Sequence, residues 1–160
     1  MKQEIFGLSL TELQIRLAEM GLKRFRAKQI FSWLYRKCVF DFSAMTNLSL
    51  AERDTLAEYF SILPGEIICL RQLDSADGLT QKLLLQLLDG NTIETVLMHH
   101  DYGYSVCVSS QVGCDMHCAF CASGLNGAVR NLTQTEILAQ VYFFNARLAA
   151  AGQRVSRVVV

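Results

Sequence analysis

Apolar residues recur at helical spacing throughout residues 1–62. A capping box that begins at Ser9 precedes an amphipathic run that ends at Gly21, and this pattern predicts a first helix. The same spacing predicts a second helix over about residues 26–37, and another capping box, at Ser49, starts a third helix. We therefore expect a small helical unit in this part of the chain.

The pattern changes after Pro64-Gly65 to short β-like runs. These runs predict three strands, over residues 66–73, 81–88 and 92–99. Asp77-Gly78 and Asp89-Gly90 separate the strands, and such dipeptides tolerate the positive φ angles of tight hairpin turns. An antiparallel meander is therefore expected.

A further strand, a loop, a helix and a last strand follow in that order. They are predicted over residues 105–109, 111–127, 133–151 and 154–160. Together they make a βαβ unit, from which parallel sheets and barrels are built. The last strand ends in three valines with no following helix to cover them, so we expect the chain to be a fragment.

These patterns predict an α/β fold in three parts. Residues 1–62 form a helical accessory domain, and residues 63–104 form a β-meander linker segment. Residues 105–160 form the first βαβ unit of a truncated barrel, and this unit carries the glycine- and cysteine-rich loop.

Composition marks a folded chain without a dominant charge. Hydrophobic residues make up 51% of the sequence, mean hydropathy is +0.24, and fifteen basic residues balance fifteen acidic ones. Net charge therefore does not indicate a nucleic-acid-binding protein. Six basic residues and no acidic ones do lie between Lys23 and Lys37, and such a patch suits RNA phosphates and a solvated helix face equally well.

The sequence shows no targeting or membrane segment. Its first residues lack the continuous apolar stretch of a signal peptide, and polar residues such as Asn145 interrupt the apolar runs before they reach the roughly 20 residues that span a bilayer. We expect a cytoplasmic protein, and in that reducing compartment crowded cysteines indicate a metal or redox site rather than a disulfide framework.

Cys114, Cys118 and Cys121 form a CxxxCxxC pattern directly after a predicted strand. A cubane [4Fe-4S] cluster has four irons, so three thiolates from one loop leave one iron free for an outside ligand. The alternative is a structural zinc site, which usually needs four ligands in two close pairs. The second pair is missing here, although His117 is available as a fourth ligand.

Several segments resemble the family of radical S-adenosylmethionine (SAM) RNA methyltransferases known as RlmN/Cfr. They are IETVLM (93–98), VCVSSQVGCDMHCAFCASG (106–124) and RNLTQTEILAQV (130–141). Two further phrases, FRAKQIFSWLYRK (25–37) and FSAMTNLS (42–49), are similar to the RlmN branch. The resemblance covers nearly the whole chain and implies that the expected barrel is a partial TIM-type radical SAM barrel.

The resemblance implies methylation of C2 of adenosine in 23S rRNA and, on the RlmN branch, of an adenosine beside the tRNA anticodon. The implied cofactors are a [4Fe-4S] cluster and two SAM molecules. One SAM methylates a cysteine near the C-terminus of such enzymes, and the other is cleaved reductively at the cluster. The implied partners are 23S rRNA, tRNA and an electron donor such as flavodoxin, with the enzyme acting as a monomer.

The same resemblance assigns roles to residues of this chain. The three motif cysteines match the cluster ligands, Glu94 matches the proton acceptor, and Cys107 matches one partner of a transient disulfide. The methyl-carrying cysteine has no counterpart, nor has the Gly-Glu-Pro phrase expected after Val160. We therefore expect that this chain alone does not methylate RNA.

Without the resemblance, each of Glu94 and Cys107 has an ordinary structural interpretation beside the catalytic one. Strand alternation places Glu94 beside Val96 and Met98, in an apolar environment that would raise the pKa of its carboxyl toward general-base duty. The ordinary alternative is a solvated glutamate. For Cys107, on the strand that enters the loop, the ordinary alternative is a buried structural thiol.

A function from another class also fits these features. A basic helical unit with a cysteine loop is sufficient for a non-catalytic, metal-bound RNA-binding module. Another radical SAM reaction is a third possibility. Metal analysis separates the first two functions, because an iron–sulfur cluster is required for one and bound zinc is expected for the other.

Overall fold

The computed structural model describes residues 2–116 and 118–160, and of Pro64 and Gly65 only the backbone. The fold is mixed α/β, and the chain divides into two compact units, Met1–Gly65 and Glu66–Val160. The helices are α1 (Leu10–Glu19), α2 (Arg26–Tyr35), α3 (Leu50–Tyr59), α4 (Leu63–Glu66) and α5 (Gln134–Ala149). The strands are β1 (Gln3–Glu4), β2 (Phe60–Ser61), β3 (Ile68–Asp74), β4 (Thr80–Gln86), β5 (Thr92–His100), β6 (Gly103–Cys107), β7 (Gln111–Gly113), β8 (Ala128–Asn131) and β9 (Val155–Val159).

The first unit packs three helices around an apolar core. α1 and α3 begin as predicted, because the Ser9 and Ser49 hydroxyls each accept a hydrogen bond from a backbone N–H in the first turn of their helix. Each helix buries one stripe of side chains. The fully buried members are Leu13, Leu17, Ala27, Ile30, Leu34 and Leu56. The two-residue strands β1 and β2 pair in parallel within this unit, and no sequence pattern predicted them.

The second unit is built on a five-stranded sheet in the order β3-β4-β5-β6-β9. β3 to β6 are antiparallel neighbours, and the predicted hairpin glycines Gly78 and Gly90 have φ angles of +71° and +83°. β9 pairs in parallel with β6 after the crossover through α5. The predicted meander and βαβ unit are therefore confirmed.

The sheet has a covered face and an open face. The covered face carries buried side chains: Leu83, Leu85, Ile93, Thr95, Leu97 and Val106. α5 lies over this face, because Arg147 donates hydrogen bonds to Gln72, which lies opposite Leu83 in the sheet register, and to Gln81, two residues before Leu83 on β4. The open face carries Lys82, Leu84, Glu94, Val96, Met98 and Cys107.

Two boundaries differ from the prediction. The fourth strand of the sheet covers Gly103–Cys107 rather than 105–109, because the backbone N–H and C=O of Ser109 bond to a glutamine side chain instead of a neighbouring strand. The first strand of the meander begins at Ile68 rather than at residue 66, because Leu63–Glu66 form the single turn of α4. The predicted boundary at residue 104 stays a prediction, but strands from both sides of it belong to one sheet.

Among the described residues, no helix combines the length and the apolar composition that crossing a bilayer requires.

Candidate functional site

The cysteine loop is closed at its base by the antiparallel pair of β7 and β8. The Cys114 N–H donates to the Gly127 carbonyl at 3.2 Å, and the Leu132 N–H donates to the Ser110 carbonyl at 2.9 Å. Gly113 has a φ of +75°, and a Cβ at this position would overlap the carbonyl oxygen of Gly127. A narrow stem of this shape therefore requires glycine at position 113.

The three motif cysteines follow the stem. Cys114 is half-buried directly after β7, Cys118 is exposed, and Cys121 is half-buried at the start of a single 3-10 turn over Ala122–Gly124. The Cys121 N–H donates to the Cys118 carbonyl at 3.0 Å. Hydrogen bonds from the backbone N–H and the hydroxyl of Ser123 lower the pKa of the Cys121 thiol, which favours the thiolate that binds metals.

The structure does not gather these cysteines into a coordinating group. Within residues 2–116 and 118–160, no three His, Cys, Asp or Glu side chains are placed to hold a metal ion, and all six cysteines are free thiols. His117, the alternative zinc ligand, lies outside the described residues. The chemistry of the donor set nevertheless fits an iron–sulfur cluster, because one loop supplies three soft sulfur ligands on a glycine-bounded stem.

Glu94 lies on the open face, on the same side of β5 as Val96 and Met98, as alternation predicts. The prediction that its surroundings are apolar is wrong. Its side chain is 54% exposed, and Oε1 accepts a hydrogen bond from Lys82 Nζ at 2.9 Å. The sheet register explains the pairing, because Lys82 lies opposite Val96 and is thus a diagonal neighbour of Glu94 on one face. The role of Glu94 as a proton acceptor stays a prediction.

Cys107 is the last residue of β6 and lies opposite Val96, so it shares the open face with Glu94. Its side chain is half-buried. Its carbonyl accepts a hydrogen bond at 2.8 Å from the hydroxyl of Thr95, which is fully buried on the covered face. The two residues that resemblance links to catalysis therefore belong to one face, while a hydroxyl on the opposite face fixes the strand that carries Cys107.

A groove of about 400 Å³ lies between the start of β5 and the stem of the cysteine loop. Glu94, Ser109, Gln111, Ser123 and Asn126 supply much of its polar lining. The structure thus brings the predicted proton acceptor to the edge of the cysteine loop. None of the described cysteines lines this groove, so Cys107 and the three motif cysteines are not joined to it.

Ser109 and Gln140 are site residues that the sequence analysis missed. Gln140 on α5 is fully buried, accepts from the Ser109 N–H at 2.8 Å and donates to the Ser109 carbonyl at 2.9 Å. The Ser109 hydroxyl donates to the Glu94 carbonyl at 2.7 Å. These two side chains therefore fix the entry of the cysteine loop against both α5 and β5. A glutamine on the apolar stripe of a helix, four residues before Phe144, was the available signal.

The basic patch of the first unit has members with partners inside that unit. Arg26 Nε donates to Glu52 Oε1 at 2.7 Å, and Lys37 Nζ lies 3.4 Å from the centre of the Trp33 ring. These two cations stabilise the helical unit. Phe25, within the same basic segment, is half exposed.

Known proteins match both units. A family model described as the ribosomal RNA large subunit methyltransferase N-terminal domain matches residues 3–62. A probable dual-specificity RNA methyltransferase RlmN from Spiroplasma citri is 49% identical over 156 residues, which cover 98% of this chain and 44% of that protein. A protein of the same description from Staphylococcus aureus (strain JH9) is 48% identical and matches 99% of this chain over 43% of its own length.

A solved structure matches the fold. The crystal structure of a radical SAM methyltransferase from Sphaerobacter thermophilus superposes with a TM-score of 0.91 at 42% identity, over 99% of this chain and 46% of that one. This chain therefore spans less than half the length of the relatives that it matches.

Proposed function

We propose that the chain is the cluster-binding part of a radical SAM methyltransferase of the RlmN/Cfr family. The proposed enzyme methylates C2 of adenosine in 23S rRNA and in tRNA beside the anticodon. The observation that carries this proposal is the place of the cysteine loop. It leaves the sheet after β6 and returns through α5 and β9, so the three thiols lie at the carboxyl end of the first parallel strand. Ligands and reactive groups of α/β sheets gather at that end.

In this proposal Cys114, Cys118 and Cys121 hold a [4Fe-4S] cluster, and the cluster with bound SAM supplies the one-electron chemistry that starts methyl transfer. Glu94, at the groove beside the loop, accepts a proton from the adenosine. Cys107 forms a transient disulfide with the methyl-carrying cysteine of the enzyme. Its position on the open face, with Glu94, supports a shared task for the two residues.

We assign RNA binding to the first unit. Arg26 and Lys37 contact side chains within the helical unit. The other basic residues of the patch are Lys23, Arg24, Lys28 and Arg36. We assign these four side chains to RNA phosphates, which attract clustered cations through counterion release. An electron donor such as flavodoxin, a cytoplasmic location and a monomeric state complete the proposal.

Anaerobic reconstitution tests the cluster. The purified chain, supplied with iron and sulfide, should retain about four irons and four sulfides. Cys118→Ser should lose most of this iron, because it removes one of the three thiolates that hold the cluster in this proposal. Cys69→Ser is the matched control, since Cys69 is a partly exposed thiol on β3 outside the motif, and it should retain iron like the unsubstituted chain. Preferential retention of zinc would contradict the proposal and favour the non-catalytic RNA-binding module.

A further inference from the structure

Arg130, at the exit of the cysteine loop on β8, joins separate segments of the second unit. Its Nε donates to Asp89 Oδ2 at 2.8 Å, while Nη1 and Nη2 donate to the two carboxylate oxygens of Glu136 at 2.8 Å each. Nη1 also donates to the Asn131 carbonyl at 3.1 Å. One guanidinium therefore connects the β4–β5 hairpin, the loop exit and the start of α5.

Both carboxylates that bind Arg130 also accept hydrogen bonds from the backbone. Asp89 lies in the hairpin turn, where its Oδ1 accepts from the Asn91 N–H at 3.0 Å. Glu136 closes the capping box of α5, where its Oε2 accepts from the Thr133 N–H at 2.8 Å, and its side chain is only 10% exposed. Arg130 thus lies between two carboxylates whose positions are fixed by backbone hydrogen bonds.

The loop exit is coupled directly to the first motif cysteine. In the β7–β8 pair, Arg130 lies opposite Val112, two residues before Cys114, and the Cys114 N–H bonds to the Gly127 carbonyl on the other side of the same stem. A displacement of Arg130 therefore moves the stem from which the cysteines project. Gln140 fixes the entry side of the loop in a comparable way through Ser109.

We propose that Arg130 is a positioning residue for the iron–sulfur cluster, which fixes the exit of the cysteine loop between Asp89 and Glu136. The inference rests on the proposed function. Arginine suits this task because its planar fork presents donors to two carboxylates at once, whereas a lysine is a single compact charge.

The test compares Arg130→Lys and Asp89→Asn with the unsubstituted chain after anaerobic reconstitution. A ferrous chelator should remove iron from Arg130→Lys roughly tenfold faster, an effect of the size seen when a group that orients metal ligands is lost. The electron paramagnetic resonance spectrum of the reduced cluster should also broaden or shift. Asp89→Asn should show a smaller change in the same direction, because the pair with Glu136 remains. Arg147→Lys is the matched control: Arg147 also bridges α5 and the sheet, through Gln72 and Gln81, but away from the loop, and it should match the unsubstituted chain.

A second readout needs no cluster. In the metal-free chain, Arg130→Lys should accelerate hydrogen exchange of the Cys114 and Leu132 amides, which bond across the stem, without accelerating exchange in the β4–β5 ladder. Equal chelation rates and equal exchange in Arg130→Lys and the unsubstituted chain would overturn the inference. Failure of the unsubstituted chain to bind iron would instead overturn the proposed function, and the exchange measurement would still show whether Arg130 holds the loop. If Arg130→Lys fails to fold, Asp89→Asn decides through the same two measurements.

Discussion

The two faces of the five-stranded sheet differ although their residues alternate along the same strands. On β5, Thr95 is fully buried beneath α5, while the adjacent Glu94 has a side chain that is 54% exposed. The fully buried side chains of the covered face are apolar apart from Thr95, whose hydroxyl donates to the Cys107 carbonyl. The open face carries an ion pair and a thiol. The two-residue period of a strand thus separates side chains that hold the sheet together from side chains available for chemistry.

The entry of the cysteine loop is fixed by α5 and by the backbone of β5. Gln140, buried on the covered side, fixes Ser109 at the entry of the loop, and the Ser109 hydroxyl bonds to the Glu94 carbonyl. Changes to the covered face should therefore alter stability first, and changes to the open face should alter chemistry with little effect on stability. Three substitutions test this difference.

The largest effect is expected for Phe144→Ala. Phe144 is a fully buried side chain of α5, and removal of a buried aromatic ring should lower the free energy of unfolding by about 3–5 kcal/mol. Chemical denaturation followed by circular dichroism measures this loss. Val159→Ala is the open-face control. Val159 lies opposite Cys107 and is about half exposed, so its truncation should change the free energy by less than about 0.5 kcal/mol. Comparable losses in the two variants would remove the distinction between the faces.

An intermediate effect is expected for Glu136→Gln. This substitution removes the charged pair with Arg130 and should lower the free energy of unfolding by about 1–2 kcal/mol at neutral pH. The loss is smaller than for a fully buried pair, because the Arg130 side chain is 31% exposed and keeps its bond to Asp89. Hydrogen bonding to Arg130 lowers the pKa of the Glu136 carboxyl below its ordinary 4.5.

The lowered pKa of Glu136 determines how the effect of Glu136→Gln on stability changes with pH. A lowered folded-state pKa means that the carboxylate stabilises the fold above about pH 4.5 and that this contribution is lost as pH falls through the folded pKa. The difference in unfolding free energy between Glu136→Gln and the unsubstituted chain should therefore shrink below pH 4.5. Asp89, whose pKa is lowered to about 2, is present in both proteins, so its titration largely cancels. A difference that grew on acidification would contradict the assignment of the pair.

Local sequence signals predicted much of the fold. Capping boxes at Ser9, Ser49 and Thr133 marked the starts of α1, α3 and α5. In each box the cap hydroxyl accepts from the backbone N–H of the glutamate three residues later, and that glutamate's carboxylate accepts from the backbone N–H of the cap residue. Aspartate-glycine dipeptides marked the hairpins. The strand pairs β1–β2 and β7–β8 escaped prediction because runs of two to four residues carry no measurable period.

The candidate site was less predictable because its contacts are not local. The motif cysteines were visible as a spacing, but the apolar environment predicted for Glu94 ignored Lys82, twelve residues earlier, which only the sheet register brings alongside. Ser109 and Gln140 are 31 residues apart, and Asp89 and Arg130 are 41 apart. Periodicity reports which face a residue occupies, whereas these partners depend on how separate elements meet.

The smallest effect is expected for Lys82→Gln. The ion pair between Lys82 and Glu94 is exposed on both sides, at 41% and 54% of the side chains, so solvent screens it and its removal should change the free energy of unfolding by less than about 0.5 kcal/mol. Denaturation at low and high salt measures this, and Arg16→Gln, which breaks the exposed pair with Glu19, is the matched control. A loss above about 2 kcal/mol would exceed what an exposed pair contributes and would mean that the open face also supports the fold. A loss near zero would mean that the Lys82–Glu94 pair opens beside the groove without cost to the sheet, as the proposed role of Glu94 as a proton acceptor requires.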